Sequence, residues 1–472
     1  MLAKVQKFLQ IYTAKTLKYA KKATETFTKL HPLSGFFVIL HPKSHKTMQN
    51  KMKQSIGLAA LALLTMTSCN KELFDKNTYD KVVDYQFNVD FVDANHDWRL
   101  TKSDTINFET PEYGVYRLQI LTANPYVTTG AEVAAEAVCY GYKATMAYTI
   151  PITQNRLYVA ALNNSGEYLG VASFTYGTKE MTLHKDDLTN GTTLNAPVNQ
   201  TFTYCYVSTF PTPSDFDYND MVLRITRSVP DPANASVVDL TVKLDAVGAS
   251  EIYGAAIQLA GVKYDDISKV EIVSGEAMDK DYPLSRIFIT NANTVFRGRS
   301  GEAVINLFEC AQWAMSKKKN TQGDISVIRY NTSHEERENY SAIVDPVTTT
   351  YRITFKSSSV ANLLTFDGID PFIVHQNTDG GIWEVHTYAH KFDETIWSCF
   401  NGYQSAYDNH ISWSLVIPYA DFRYAIEGSP LSSFDSNISS TFGPYEGFAD
   451  WMKNHLTSRD WYLHLTRPQL VY

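Results

Sequence analysis

Six consecutive residues near the middle of this 472-residue chain concentrate oxygen-bearing side chains: Asp215-Phe216-Asp217-Tyr218-Asn219-Asp220. Hard cations such as calcium take about six to eight oxygens at short range, and alternating Asp and Asn positions in a tight loop supply them. Asp215, Asp217 and Asn219 alternate, and Asp220 can close the shell. Three carboxylates this close repel one another, and a divalent cation relieves the repulsion. The competing chemistry is an Asx-rich turn, whose side-chain oxygens accept from nearby backbone N–H groups. Calcium is the reading adopted, as a structural ion.

Other residues invite chemistry less directly. Glu384-Val385-His386, with His390, has a superficial metal-ligand look, since Glu and His two apart share one face of a strand. The bland reading of such a histidine is structural. Trp383, Tyr388, Trp397, Phe400, Tyr403, Tyr407 and Trp413 crowd one stretch, and rings stack on the apolar faces of sugars. Trp383, Tyr388, Trp397 and Tyr403 are the candidate ligand-binding aromatics, against core packing and strand propensity. Asp93-Ala94-Asn95-His96-Asp97 with Asp104 has EF-hand spacing, but Trp98 stands where that loop needs Gly, so a polar turn is expected. Paired acids can hydrolyse glycosides, yet the sequence does not place a second acid opposite Asp217. The chain has no Gly-x-Ser-x-Gly elbow, phosphate loop or His-Glu-x-x-His. No catalytic residue is assigned.

The elements that must hold these residues read as β. Short runs rich in Val, Ile, Tyr and Thr with partial period-two alternation mark strands. In the first half they are 115–121, 144–150, 156–162 and 168–174, joined by turns such as Asn163-Asn164-Ser165-Gly166-Glu167. This spacing predicts an immunoglobulin-like sandwich. After a linker around Asn190-Gly191 and Asn195-Ala196-Pro197, strands resume at 202–207 and 221–226 on either side of the acidic loop, then at 237–244 and 351–355. Residues 302–315 break the pattern. They read as a helix capped by Ser300 and ended by Lys317-Lys318-Lys319, or as a strand entering a short helix.

Charge divides the chain. Residues 1–53 carry eleven Lys and one acid, and 54–68 carry no charge. That leaves 31 basic and 49 acidic residues from Cys69 onward, a net of −18. So acidic a body repels nucleic acid and excludes it as a partner. Lys51-Met52-Lys53, the apolar run 54–65 and Met66-Thr67-Ser68-Cys69 form a basic region, a stretch too short for a comfortable membrane span, and small residues before a Cys. The segment resembles a bacterial lipoprotein signal peptide. The resemblance implies cleavage before Cys69, acylation of that residue and a membrane anchor. The 47 residues before Met48 are read as a wrongly assigned start, the alternative being a membrane-surface helix. Cys139, Cys205, Cys310 and Cys399 are too widely spaced for a disulfide scaffold, and free thiols are expected.

Several stretches recur in an order that resembles one family. Asp215 to Leu223 is similar to the DxDxND signature of LruC domain-containing lipoproteins of the Bacteroides group. Gly254 to Val262, Ala303 to Phe308, Asp370-Pro371-Phe372-Ile373, Trp413 to Pro418 with Asp421 to Tyr424, and Phe448 to Trp451 with Asp460-Trp461-Tyr462 resemble its later motifs. The resemblance spans about 198–465. Ala425 departs from it where the family has Pro, as do the irregular segment 379–409 and the tail 465–472. It implies a β-sandwich and carries little chemistry.

The expected protein is therefore mainly β, with two β-sandwich modules after a lipoprotein signal peptide. Its parts are a leader (1–47), the signal peptide (48–68), a tether (69–82), an immunoglobulin-like sandwich (83–190) and a LruC-type β-domain with a short helix (198–465). The expected role is non-enzymatic: an outer-membrane lipoprotein on the cell surface or the periplasmic face, in adhesion, assembly or ligand binding. Its partners would be the membrane, through lipidated Cys69, and a glycan or envelope protein. The alternative is a glycan-active enzyme or glycan-binding protein using acids and aromatics of the second module.

Overall fold

The computed structural model describes residues 96–111, 114–207, 217–231, 234–248, 251–316, 328–376, 380–390, 394–400, 412–434 and 441–472. By compactness the chain divides into Met1–Asn70 and Lys71–Tyr472, and every described residue belongs to the second unit. The described chain is mainly β.

The first module is a sandwich of two sheets. One has the order β4-β1-β7, built from β1 (Thr101–Glu109), β4 (Lys143–Pro151) and β7 (Glu180–Thr182). The other has the order β6-β5-β2-β3-β8, built from β2 (Arg117–Leu121), β3 (Glu132–Val138), β5 (Arg156–Leu162), β6 (Tyr168–Thr175) and β8 (Val198–Asn199). Alternation sets the faces. Ile106 and Phe108 of β1 and Ala144 and Met146 of β4 point inward, while Asn107, Glu109, Lys143 and Thr145 face solvent. The inward set meets Leu118, Ile120, Leu157, Val159 and Phe174 in one buried core. This is how a period-two pattern becomes a half-buried antiparallel sheet.

The second module stacks two six-stranded sheets. The first has the order β13-β18-β11-β10-β9-β22: β9 (Thr201–Tyr206), β10 (Met221–Ser228), β11 (Val237–Ala246), β13 (Ile267–Ser274), β18 (Val347–Phe355) and β22 (Ser414–Ile417). The second has the order β14-β15-β12-β19-β20-β21: β12 (Gly254–Lys263), β14 (Val295–Arg297), β15 (Glu302–Phe308), β19 (Ile369–Gln376), β20 (Ile382–Val385) and β21 (Ser398–Phe400). Two small ladders, β16 (Arg329–Tyr330) with β17 (Ser341–Ala342) and β23 (Ser433–Phe434) with β24 (Thr441–Phe442), complete the strands. Leu223, Ile225, Leu240, Val242, Ile257, Leu259, Ile305, Ile353 and Ile373 fill the space between the sheets. The second sheet is also covered outside, where Ala256, Val304, Phe372 and Val374 pack under Phe288, Ile289, Ile396 and Trp397.

That double coverage explains residues 302–315. They are not one helix from Ser300. They form β15 and then helix α1 (Ala311–Met315), capped by Cys310, whose Sγ accepts from the Trp313 N–H. A strand apolar on both faces shows no period-two alternation, so its sequence passes for a buried helix. Two further helices are α2 (Ser358–Leu363) and α3 (Glu446–Lys453).

The modules are joined closely. Residues 198–199 pair in parallel with Glu132 and Val133 of the first module, and only Gln200 separates them from β9. In the other direction, Trp98 and Leu100, just before β1, belong to the core of the second module. Trp98 stands edge-on to Trp451 of α3, with ring centroids 5.2 Å apart. Asp97 pairs with Arg99 at 2.6 Å, and Asp104 lies within strand β1 in an ion pair with Lys179. The two described acids of the EF-hand-like spacing thus serve different elements. Asp93 and Asn95 lie outside the described residues.

Candidate functional site

The acidic loop enters β10. Asp217 and Asn219 are buried, at 1% and 0% exposure, and Asp220 is nearly so. Asp217 accepts from the Gly428 N–H at 2.8 Å through Oδ2 and from the Asn219 N–H at 3.3 Å through Oδ1. Asn219 donates from Nδ2 to the Ala425 carbonyl at 3.0 Å. Between them Tyr218 is left-handed, with φ +55°, and its buried hydroxyl donates to the Ser412 carbonyl at 2.6 Å. A non-Gly residue in that region holds only where its surroundings over-determine it. Here the loop is fastened to residues 425–428 and to Ser412.

The side-chain oxygens gathered here are of the type that hard cations take. The buried Oδ1 of Asn219 has no hydrogen-bond partner. It lies against Gly248, where a Cβ would come within 2.0 Å of it, so the approach requires glycine. The two Asp217 bonds are equally those of an Asx-type turn. Asp215, the third carboxylate, lies outside the described residues. Among the described residues, no group of three or more His, Cys, Asp or Glu side chains is placed to hold a metal ion.

Glu384 and His386 do come together, on the outer face of the second sheet, but with Asp370 of β19 rather than His390. His386 Nδ1 lies 2.5 Å from Asp370 Oδ2, and its Nε2 lies 3.0 Å from Glu384 Oε2. All three side chains are fully buried. Both ring nitrogens face carboxylates, so both are donors and the ring is an imidazolium. Burial alone disfavours that charge, but the Asp370 charge and hydrogen bond, joined by those of Glu384, raise the pKa to about 10. Burial would likewise raise Asp370, but His386, His390 and the Thr387 N–H hold it below its ordinary value. The remaining acceptor positions are used too. Glu384 receives the N–H groups of Thr395, Ile396 and Trp397 at 2.8, 2.5 and 3.0 Å. Asp370 receives the N–H and hydroxyl of Thr387 at 3.1 and 2.9 Å. His390 is turned elsewhere, with Nε2 2.7 Å from the Asp367 carbonyl oxygen.

Sequence reasoning did not assign Asp370 this role. The signal was an acid in the apolar run Ile369-Asp370-Pro371-Phe372-Ile373-Val374. A buried acid needs a partner. A second such device was also missed. Glu309, beyond the end of β15, accepts from the backbone N–H groups of Ile287, Phe288 and Ile289. Each glutamate thus pins one of the two segments that cover the outer face of the sheet.

The candidate aromatics do not share one face. Trp383 and Tyr388 pack against the inter-sheet core, and the Tyr388 hydroxyl donates to the His96 carbonyl at 3.1 Å. Trp397 packs on the outer cluster and donates to the Phe288 carbonyl at 2.7 Å. Tyr403 and Cys69 lie outside the described residues. Cys139, Cys205 and Cys310 are free thiols.

Fold and site together define a two-module β protein in which the two candidate polar clusters, around Asp217 and around His386, are buried among the described residues. Residues 234–462, a little under half of the chain, match a family described as a domain of unknown function, DUF4842. No curated protein matches. Among solved structures, the chain is similar to one described as a "Putative lipoprotein from Bacteroides ovatus", at 14% identity and a TM-score of 0.39, covering 68% of this chain and 91% of that one. It is also similar to the full-length major pilin SpaD from Corynebacterium diphtheriae, at 11% identity and a TM-score of 0.18, covering 62% and 66%.

Proposed function

We propose that this chain is a lipid-anchored cell-envelope protein that works by binding or assembly rather than catalysis, with the acidic loop as a structural calcium site. The observation that carries the non-catalytic reading is burial. Asp217, Asp370, Glu384 and His386 are each at most 1% exposed, and the carboxylates are engaged by backbone N–H groups or by the imidazolium. A general acid or base must reach the proton that it moves. These groups are placed instead to hold loops.

The anchor rests on Lys51 to Cys69, and the narrower kinship with LruC-type lipoproteins rests on the collinear motifs. Bound calcium would be held by Asp217, Asn219 and Asp220 together with Asp215. It would neutralise the carboxylates and supply the charged partner that the buried Asn219 oxygen lacks. Metabolic labelling with an alkyne fatty acid tests the anchor: label is expected on the wild type and absent from Cys69→Ala, and equal label on both overturns it. A hydrolysis screen beside a glycan array tests the rest. Binding without turnover is expected, whereas turnover lost in an acid-to-Ala variant would establish the glycan-active alternative.

A further inference from the structure

The first module carries an open cleft of about 410 Å³, within the size range of small-ligand sites. Its walls are the β2–β3 loop (Thr122, Ala123, Asn124, Val127, Thr128), Gln154 of the β4–β5 turn, and Arg156 and Tyr158 of β5. The walls are tied together. Gln154 Nε2 donates to the Thr122 carbonyl at 2.6 Å and to the Arg156 carbonyl at 3.1 Å, bridging loop and strand. Asn124 Oδ1 accepts from the Tyr126 N–H at 2.9 Å, and the Asn124 carbonyl accepts from Val127 and Thr128. From behind, Asn195 donates twice to the Pro125 carbonyl. The loop is thus set before any ligand arrives, yet it holds Val127 78% exposed at the rim.

The lining has a definite chemistry. Amide, hydroxyl and guanidinium groups surround one half-buried tyrosine, and no carboxylate lines the cleft. Arg156 is exposed and makes no ion pair with any described residue. From Cys69 onward the chain carries a net of −18, so its surface repels anions in general. This cleft departs from that rule, with no acid in its lining and an arginine that pairs with no described acid. A guanidinium matches a carboxylate in bidentate fashion, amides and hydroxyls match sugar hydroxyls, and an aromatic ring suits the apolar face of a pyranose.

We propose that this cleft binds an acidic saccharide, with Arg156 on the sugar carboxylate. The assignment gives the binding role a ligand class, and it depends on neither the anchor nor the calcium loop. The test is calorimetric titration of the purified protein with tetragalacturonate and with its neutral methyl ester, on wild type and Arg156→Ala. The wild type is expected to bind the acid form, with affinity falling about tenfold or more on esterification and by a similar factor in Arg156→Ala, the size of a lost charged hydrogen bond. The melting temperature should not change, because Arg156 is exposed. Equal affinity of wild type and variant for the acid form, equal affinity for acid and ester, or no binding of either overturns the proposal and leaves the anchor untouched.

Discussion

Two buried histidines on paired strands of one sheet live in opposite electrical states. His386 faces outward just past β20, caged by two carboxylates, with Phe372 stacked on its ring at 4.5 Å. His375 faces inward on β19, is 1% exposed, and neither of its ring nitrogens has a hydrogen-bond partner. Its nearest carboxylate oxygen, on Glu251, is 3.9 Å away, beyond hydrogen-bond reach. Burial therefore acts unopposed on His375 and lowers its pKa to about 4, whereas the cage reverses burial at His386. Burial does not set a protonation state by itself; burial and partners together do.

The largest expected effect comes from emptying the cage. His386→Leu leaves Asp370 and Glu384 facing each other without a cation and should cost about 3–5 kcal/mol. His375→Leu removes a ring with no bonds to lose, and its cost should stay below about 1 kcal/mol. Urea unfolding of both variants at neutral pH reads the contrast directly. Equal destabilisation would mean that the cage does not hold a charge. The same contrast appears in alkali. The folded pKa of His386, about 10, lies above the unfolded value, so its contribution is complete below about pH 6.5 and is lost as pH rises through about 10. His386→Leu should lack that loss.

In acid the sign belongs to His375. Its folded pKa of about 4 lies below the unfolded value of about 6.5, so the unfolded chain takes up the proton first. Stability should fall as pH drops from about 6.5 to about 4, by up to about 3 kcal/mol from this group. His375→Leu should flatten the profile in that window. An identical acid limb in wild type and variant would show that His375 finds a partner in solution.

The acidic loop, under the proposed calcium reading, would be a third way to bury charge, with an ion from outside as the counter-charge. If calcium binds only the folded state, chelation should remove about 2.7 kcal/mol at a free concentration 100 times the Kd. Calorimetric titration with Ca²⁺ on wild type and Asp217→Ala, and melting in EDTA, read this. An unchanged transition in EDTA would place the loop with the cage, as a self-contained bonded turn.

How much of this was legible in the sequence follows the same physics. Strands β2, β4, β5 and β6 could be read as runs of strand-forming residues, whereas β1 and β3 could not, because polar residues fill much of β1 and Ala and Glu, weak strand formers, fill much of β3. Strand β15 was legible only as one of two readings, the strand entering a short helix, because Val304 and Ile305 are buried on opposite faces. The acidic loop announced itself because its ligand-type residues are contiguous. The cage did not, because Asp370 and His386 are sixteen residues apart and meet only through the pairing of β19 with β20. The cleft in the first module was hidden for the same reason, since its walls come from a loop, a turn and a strand.

The smallest expected effect comes from a pair with good geometry and little burial. Arg352 and Asp239 face each other across β18 and β11, joined by two hydrogen bonds of 2.8 Å each. By geometry this is a better ion pair than either contact of His386. But the arginine side chain is 36% exposed, so water and salt already solvate the charge that the pair would neutralise. Arg352→Ala should cost less than about 1 kcal/mol, and less still in high salt, because an exposed ion pair competes with solvent. Unfolding at low and high ionic strength reads the difference. A loss as large as that of His386→Leu would mean that bond geometry, rather than removal from water, decides what an ion pair contributes to this protein.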